Sequence, residues 1–256
     1  MKKKIVLVLS VLLCLSLVIN VLSRAEEAEC WYIKRGKNGA APSFPESSRV
    51  VDEYGGIYIN KAAYGEGKQI LYLTFDAGYE NGNISKILDT MKEKGVTATF
   101  FILGHLINDN PELVRRMADE GHTVANHTRN HKDMTTLNEQ EFLANLSSLE
   151  EMCLSKTGVC MSKFFRFPEG RYSKEKLKAA SENGYTTVFW SIAYADWDNK
   201  NQPDENSAIS RLLSQTHPGA VILLHPTSKT NANILGTLID RWRDMGYEFG
   251  ALEDIK

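Results

Sequence analysis

The feature that most limits the fold is a recurring one: short apolar runs that each stop at a residue able to do chemistry. Ile70-Leu71-Tyr72-Leu73-Thr74-Phe75 is continuously apolar, β-branched or aromatic, and Asp76 ends it. A run with no polar face reads as a strand covered on both sides, which is the signature of a parallel sheet. The pattern repeats. Thr123-Val124-Ala125-Asn126 leads into His127-Thr128-Arg129-Asn130-His131, and Lys163-Phe164-Phe165 leads into Arg166. Thr187-Val188-Phe189-Trp190-Ser191 precedes Asp196-Trp197, and Ala220-Val221-Ile222-Leu223-Leu224 is closed by His225. Ligands bind at the carboxyl ends of the strands in such sheets. A charge placed there needs a partner, because burying it alone is costly.

Each member of this set also has a plain structural reading. Asp76 alone serves equally well as a cap for the following helix. His127 and His131, at i and i+4, share one face if they sit on a helical turn, and can then reach one ion. His105, His122 and His217 lie beside glycine or proline and read as hydrogen-bonded structural groups. Asn126 and Asn130 flank the histidine pair and are candidates to orient its rings.

Between the runs, helical spacing is regular. Ile84, Ile87, Leu88 and Met91 predict a helix that stops at Gly95, and a strand is expected over residues 96–103. Pro111 opens a helix ending at Gly121. Residues 138–157 predict a third, with Leu143, Leu146 and Leu149 as its apolar stripe. Ser173 caps a fourth, and residues 206–215 and 231–245 make two more. Strands alternating with helices over short connections imply an α/β fold with a parallel sheet closed into a barrel of six or seven units.

The chain has 256 residues, enough for one domain with a full core. Lys2-Lys3-Lys4 precedes a mostly apolar stretch over residues 5–22, and Ser23-Arg24-Ala25 offers a cleavage site. Residues 1–25 therefore read either as a cleaved secretory signal or as a retained membrane anchor; both export the body. Cys14 inside the stretch lacks the small neighbour of a lipoprotein site. Residues 26–64 read as a spacer and a packed flank anchored by Trp31 and Tyr32, and residues 65–256 as the catalytic domain. Loss of Lys2, Lys3, Lys4 and Arg24 takes the formal charge from −2 to −6. An acidic body argues against nucleic acid as a partner and leaves glycans open. The exported part carries Cys30, Cys153 and Cys160, so at least one thiol is unpaired. Cys153 and Cys160 would bridge if the chain turned back between them.

Taken together, the runs from Thr74 to Thr227 resemble the polysaccharide deacetylases of the NodB-homology type, carbohydrate esterase family four, over about residues 65–255. The wording Asp76-Ala77-Gly78-Tyr79-Glu80-Asn81-Gly82, Trp190-Ser191-Ile192-Ala193-Tyr194-Ala195-Asp196-Trp197, His217-Pro218-Gly219-Ala220 and Gly246-Tyr247-Glu248-Phe249 resembles the branch that de-N-acetylates muramic acid in peptidoglycan. That branch leads to muramic δ-lactam in spore cortex. The resemblance implies an irregular (β/α)7-type barrel and hydrolysis of an acetamide on a peptidoglycan glycan strand. It implies Asp76 as general base, His225 as general acid, and His127 and His131 as ligands of a divalent metal ion such as zinc. Arg166 would hold Asp76, and Asp196 would orient His225. The Glu169 amide would face the oxyanion, Leu223 the acetyl methyl, and Trp197 would form an apolar wall. Glu169, Gly170 and Arg171 fall on the substrate side, with Arg171 the better reader of an anion.

Two departures stand out. Ala77 replaces the carboxylate that commonly provides a third metal ligand, so the ion is expected to be weakly held. Ala193 replaces a common Asp, leaving Asp196 as the carboxylate beside His225. A glycan-binding relic without activity and a deacetylase of another acetylated glycan remain the alternatives.

Overall fold

The computed structural model describes residues 28–36 and 40–255. The expected signal or anchor lies outside them. Among the described residues no helix is long and apolar enough to cross a membrane.

Nine strands occur in the described chain: β1 (Glu29–Cys30), β2 (Ile70–Ala77), β3 (Thr99–Ile102), β4 (Thr123–Asn126), β5 (Phe164–Phe165), β6 (Arg171–Tyr172), β7 (Thr186–Thr187), β8 (Ala220–Leu224) and β9 (Glu248–Phe249). Seven of them form one parallel sheet in the order β7-β5-β4-β3-β2-β8, with β9 paired to the start of β2. Leu71 pairs with both Ala220 and Phe249, so β9 occupies the β2 edge below the point where β3 begins. The sheet closes through irregular backbone. Ser191 N–H donates to the Val221 carbonyl at 2.9 Å, and Leu223 N–H to Ile192 at 2.9 Å. The flank contributes to the seam, since Ile57 bridges to Val188 and Ile59 to Ala220. Residues 26–64 are thus partly barrel wall and not only spacer.

Alternation along β2 sorts its side chains. Leu71, Leu73, Phe75 and Ala77 pack outward in the main core with Ile84, Ile87, Leu88 and Met91 of helix Ile84–Lys94. Tyr72 faces inward with Phe101, Ala125, Val188, Val221 and Leu252, which fill the barrel's interior. A second cluster stacks Trp31 on Phe189, ring centroids 4.6 Å apart, and Trp31 Nε1 donates to the Trp190 carbonyl at 2.9 Å. Trp31 therefore anchors the flank, whereas Tyr32 is half exposed and does not.

Several expectations need correcting. The third strand is shorter than residues 96–103, because Val96-Thr97-Ala98 is spent turning out of helix Ile84–Lys94. Beyond Thr187 only Val188 and Ile192 make single bridges, instead of a continued strand through residue 191. In helix Glu139–Thr157 the buried stripe is Phe142, Leu146, Leu149 and Cys153; Leu143 is only partly buried. A capping box between Asn138 and Glu141 starts that helix, and Phe142 packs in the second cluster. Cys153 and Cys160 are not bridged: Cys153 is buried against Thr157, and Cys160 and Cys30 are exposed.

Candidate active site

The parallel sheet gathers the strand ends at one pole, and there a cavity of about 240 Å³ opens. Asp76, Gly78, Tyr79, Leu103, His127, His131, Trp197, His225 and Thr227 line it. Side chains spread over 150 positions of sequence thus meet in one groove, with Arg166 and Asp196 fully buried behind them.

Asp76 lies one residue before the end of β2, on the inner face. Arg166 Nη1 donates to its Oδ1 at 2.7 Å. The rest of the guanidinium is also spoken for: Nε donates to the Val188 carbonyl, and Nη2 to Thr74 Oγ1 and the Phe189 carbonyl. Its carbon lies 4.1 Å from the centre of the Phe101 ring, on top of the interior cluster. An unpaired guanidinium at this depth would be costly, so the bonds fix both members. Burial pushes the Asp76 carboxyl up, but the charges of Arg166, His127 and His225 and the Arg166 bond outweigh it, and its pKa ends below the usual range. Asp76 is held as a carboxylate.

The two imidazoles of the β4 loop are not on a helical turn, contrary to the i, i+4 reading. Thr128 and His131 adopt left-handed φ of 75° and 57°. Asn126 Oδ1 accepts the Thr128 N–H at 2.9 Å, and Thr128 Oγ1 accepts the His131 N–H at 3.0 Å. These bonds stabilise a tight turn that brings the rings edge to face, 5.1 Å between centroids. Asn126 therefore shapes the turn and ties it to the Leu146 carbonyl, while Asn130 is exposed.

The Arg166 carbonyl, which can only accept, lies 2.9 Å from His127 Nδ1. That nitrogen must carry the proton, and Nε2, 3.5 Å from Asp76 Oδ2, presents its lone pair. Burial lowers the His127 pKa to about 4, so the ring is neutral at physiological pH.

His225 closes β8 and is the mirror case. Its Nδ1 lies 2.7 Å from Asp196 Oδ1, and its backbone N–H donates to Asp196 Oδ2 at 2.8 Å. Burial opposes the charged ring, but the Asp196 bond and charge, with help from Asp76, raise its pKa above the ordinary histidine value. Nε2 is left to face the cavity. The exposed Trp197 ring stands edge to face with His225, 6.1 Å between centroids.

The rim explains the unusual wording after Asp76. Glu80 Oε2 accepts the Ile84 N–H and so opens the next helix. Asn81 and Asn83 both donate to the Thr227 carbonyl, at 2.8 and 3.0 Å, lashing the β2 turn to the β8 turn.

Four expected residues lie outside the cavity's lining. Leu223 is buried in the sheet, and the leucine at the cavity is Leu103. Glu169 takes a left-handed φ of 56°. Gly170 has φ 65°, and a Cβ there would come 2.8 Å from the Trp190 ring, so its role is close packing. Arg171 is paired with Asp133 at 2.7 Å and is not a free anion reader. Ala77 is fully buried in the outer core.

Sequence reasoning missed Tyr79, Leu103 and Thr227 on the lining, and Thr74, Tyr194 and Asn231 behind it. The inward alternation of Tyr72, Thr74 and Asp76 was a usable signal for Thr74. Nothing local marks the others. Of the remaining histidines, His122 and His217 are hydrogen-bonded structural groups. His122 Nδ1 accepts the Ala98 N–H at 3.2 Å, His217 Nδ1 donates to the Pro218 carbonyl, and His105 is exposed.

Among the described residues no group of three His, Cys, Asp or Glu is arranged to hold a metal ion. The donor set still suits a loosely held one. His127 is neutral, its proton is fixed on Nδ1 by a carbonyl, and its free nitrogen faces the cavity beside His131, which is how imidazole ligands are prepared.

Comparison with known proteins agrees with this arrangement. A family model described as polysaccharide deacetylase matches residues 63–188. The peptidoglycan-N-acetylmuramic acid deacetylase PdaA of Bacillus subtilis is 37% identical over 226 residues, 88% of this chain and 84% of its own length. A peptidoglycan-N-acetylglucosamine deacetylase of Bacillus cereus is 32% identical over 76% of this chain and 72% of its own length. The solved structure of Bacillus subtilis PdaA, described as a family 4 carbohydrate esterase, superposes with a TM-score of 0.84 over 90% of this chain and 97% of that one. With 37% identity over most of both chains and a shared fold, the chain belongs to the polysaccharide deacetylases of carbohydrate esterase family 4.

Proposed function

We propose that this chain hydrolyses the acetamide of N-acetylmuramic acid residues in peptidoglycan. The observation that carries the reading is a carboxylate and an imidazole facing one cavity with opposite proton affinities: Asp76 lowered, His225 raised. Groups whose surroundings push them apart in this way are suited to act as base and acid.

Asp76, kept ionised by Arg166, takes the proton of the attacking water. His225, charged through Asp196, gives a proton to the sugar nitrogen as the C–N bond breaks. Acetate leaves, and the free amine stays on the glycan. His127 and His131 would hold a divalent ion, which when bound polarises the acetyl carbonyl and lowers the pKa of water. Trp197 and Leu103 exclude solvent from one side. The 37% identity to a muramic acid deacetylase supports muramic acid as the sugar. A free muramic amine is also what ring closure onto the lactyl carboxyl requires, the δ-lactam of spore cortex. Peptidoglycan lies beyond the cytoplasmic membrane, and the basic then apolar N-terminus fits export, whether that segment is cleaved or anchors the chain.

The test is mass spectrometry of muropeptides after digestion with the exported domain, with and without added divalent ion. Loss of one acetyl group from muramic acid is expected. Loss from glucosamine alone would assign a sister substrate, and no change with any metal would make the chain a binding relic.

A further inference from the structure

Asp196 is the carboxylate beside His225, and a buried amide stands behind it. Asn231, 1% exposed, sits in the first turn of helix Lys229–Asp244. Its Nδ2 donates to Asp196 Oδ2 at 2.6 Å and to the His225 carbonyl at 3.0 Å. Its Oδ1 accepts from the Tyr194 hydroxyl. The amide can take only this orientation. Flipped, its oxygen would face a carboxylate and a carbonyl, two acceptors, and the hydroxyl would lose its acceptor. Burial, and then the charge of Asp196, raise the Tyr194 pKa, so the phenol stays a donor.

We propose that Asn231, oriented by Tyr194, is a positioning residue that sets the Asp196–His225 pair for proton delivery. This rests on the reading of His225 as the acid. The geometry gives the mechanism. Asp196 accepts three hydrogen bonds, from His225 Nδ1, His225 N–H and Asn231 Nδ2. The His225 main chain is gripped at both ends, its N–H by Asp196 and its carbonyl by Asn231, while its ring is held by Asp196. A neutral carboxamide satisfies the second oxygen of Asp196 without cancelling the negative charge that His225 needs. A lysine there would cancel it, and a second carboxylate would repel Asp196. The assembly is backed by Gln202, whose Nε2 donates to the Asp196 and Asp198 carbonyls and whose Oε1 accepts from Ser228 Oγ and the Thr230 N–H. Ser228 in turn accepts the Asn231 N–H at 3.1 Å. The Trp197 loop and the start of the helix are thereby one unit.

The experiment uses the double variant Asn231→Leu, Tyr194→Phe, which removes the polar pair together and leaves no orphaned hydroxyl. The expected result is a fall in kcat of roughly 10- to 100-fold, the size seen when outer-shell partners are lost, with KM unchanged. The low-field proton resonance of His225 Nδ1–H should shift upfield or vanish. Tyr194→Phe alone, which keeps both Asn231 donors, should lose less. A double variant with wild-type kcat and an unmoved resonance would overturn the proposal. So would a loss of kcat with the resonance unmoved, or a rise in KM alone. The resonance needs no turnover. A wild-type chain that shows it, with Asn231-dependent position, but deacetylates nothing would refute the function and not the positioning.

Discussion

His127 and His225 are the same side chain at the ends of two parallel strands, lining one cavity, yet the protein treats them in opposite ways. At β4, Nδ1 meets a backbone carbonyl; the partner is neutral, burial wins, and the pKa falls to about 4. At β8, Nδ1 meets a buried carboxylate, and the pKa rises despite burial. The partner behind the ring, and not exposure of the ring, decides which form is stable. One imidazole is prepared to give a lone pair and the other to give a proton. The proposed amide hydrolysis uses both settings.

That contrast can be broken most severely at the reacting groups. Asp76→Asn and His225→Ala should each lower kcat/KM by ~10²–10⁴-fold, the usual share of one acid or base, with circular dichroism unchanged. A subtler change is Asp196→Asn, which turns the β8 partner into something closer to the β4 one. The loss in kcat should be smaller, on the order of 10–100-fold. The alkaline limb of the pH–rate profile should also move to lower pH, because an acid with a lower pKa is deprotonated sooner. An unmoved limb would mean that Asp196 is not what charges His225.

Stability sharpens the comparison without any substrate. In metal-free protein, His127 binds its proton in the unfolded chain near pH 6.5 but in the native one only near 4. Stability should therefore fall by about 3 kcal/mol as pH drops through that window. His122, also lowered to about 4 by burial, adds a drop of the same sign. His225 has the reverse sign: its contribution is full below the unfolded pKa and is lost as pH rises through the native value. Denaturant titrations of His127→Gln and His225→Gln should flatten opposite flanks of the pH–stability curve. The smallest effect on turnover belongs to Ala77→Asp. Ala77 packs outward among Ile84, Ile87 and Leu88, so a carboxylate there should lower the Tm and leave activity flat or reduced. A gain in both zinc affinity and activity would show a degraded metal site.

The sequence was most informative where physics is local. Period and punctuation placed six helices within a residue or two but missed the short ones Ser48–Glu53, Lys61–Gly65 and Gly104–Asp109, and strand-end logic picked out Asp76, Arg166, Asp196 and His225. It failed where function depends on distant partners or on backbone that propensity disfavours. The histidine pair was found for the wrong reason, since its rings meet through left-handed Thr128 and His131 held by Asn126. Arg171 looked free because Asp133, 38 positions away, is invisible as its partner until the chain is folded. Asn231 was illegible for the same cause: it lies 35 positions from the carboxylate it serves.

The most direct measurement is the ring nitrogen chemical shifts of His127 and His225, followed by NMR across pH in metal-free protein. The account predicts a His127 that is neutral at pH 7 with its proton on Nδ1, and a His225 that keeps its charge to higher pH than an ordinary histidine. Two imidazoles titrating together near 6.5 would contradict it.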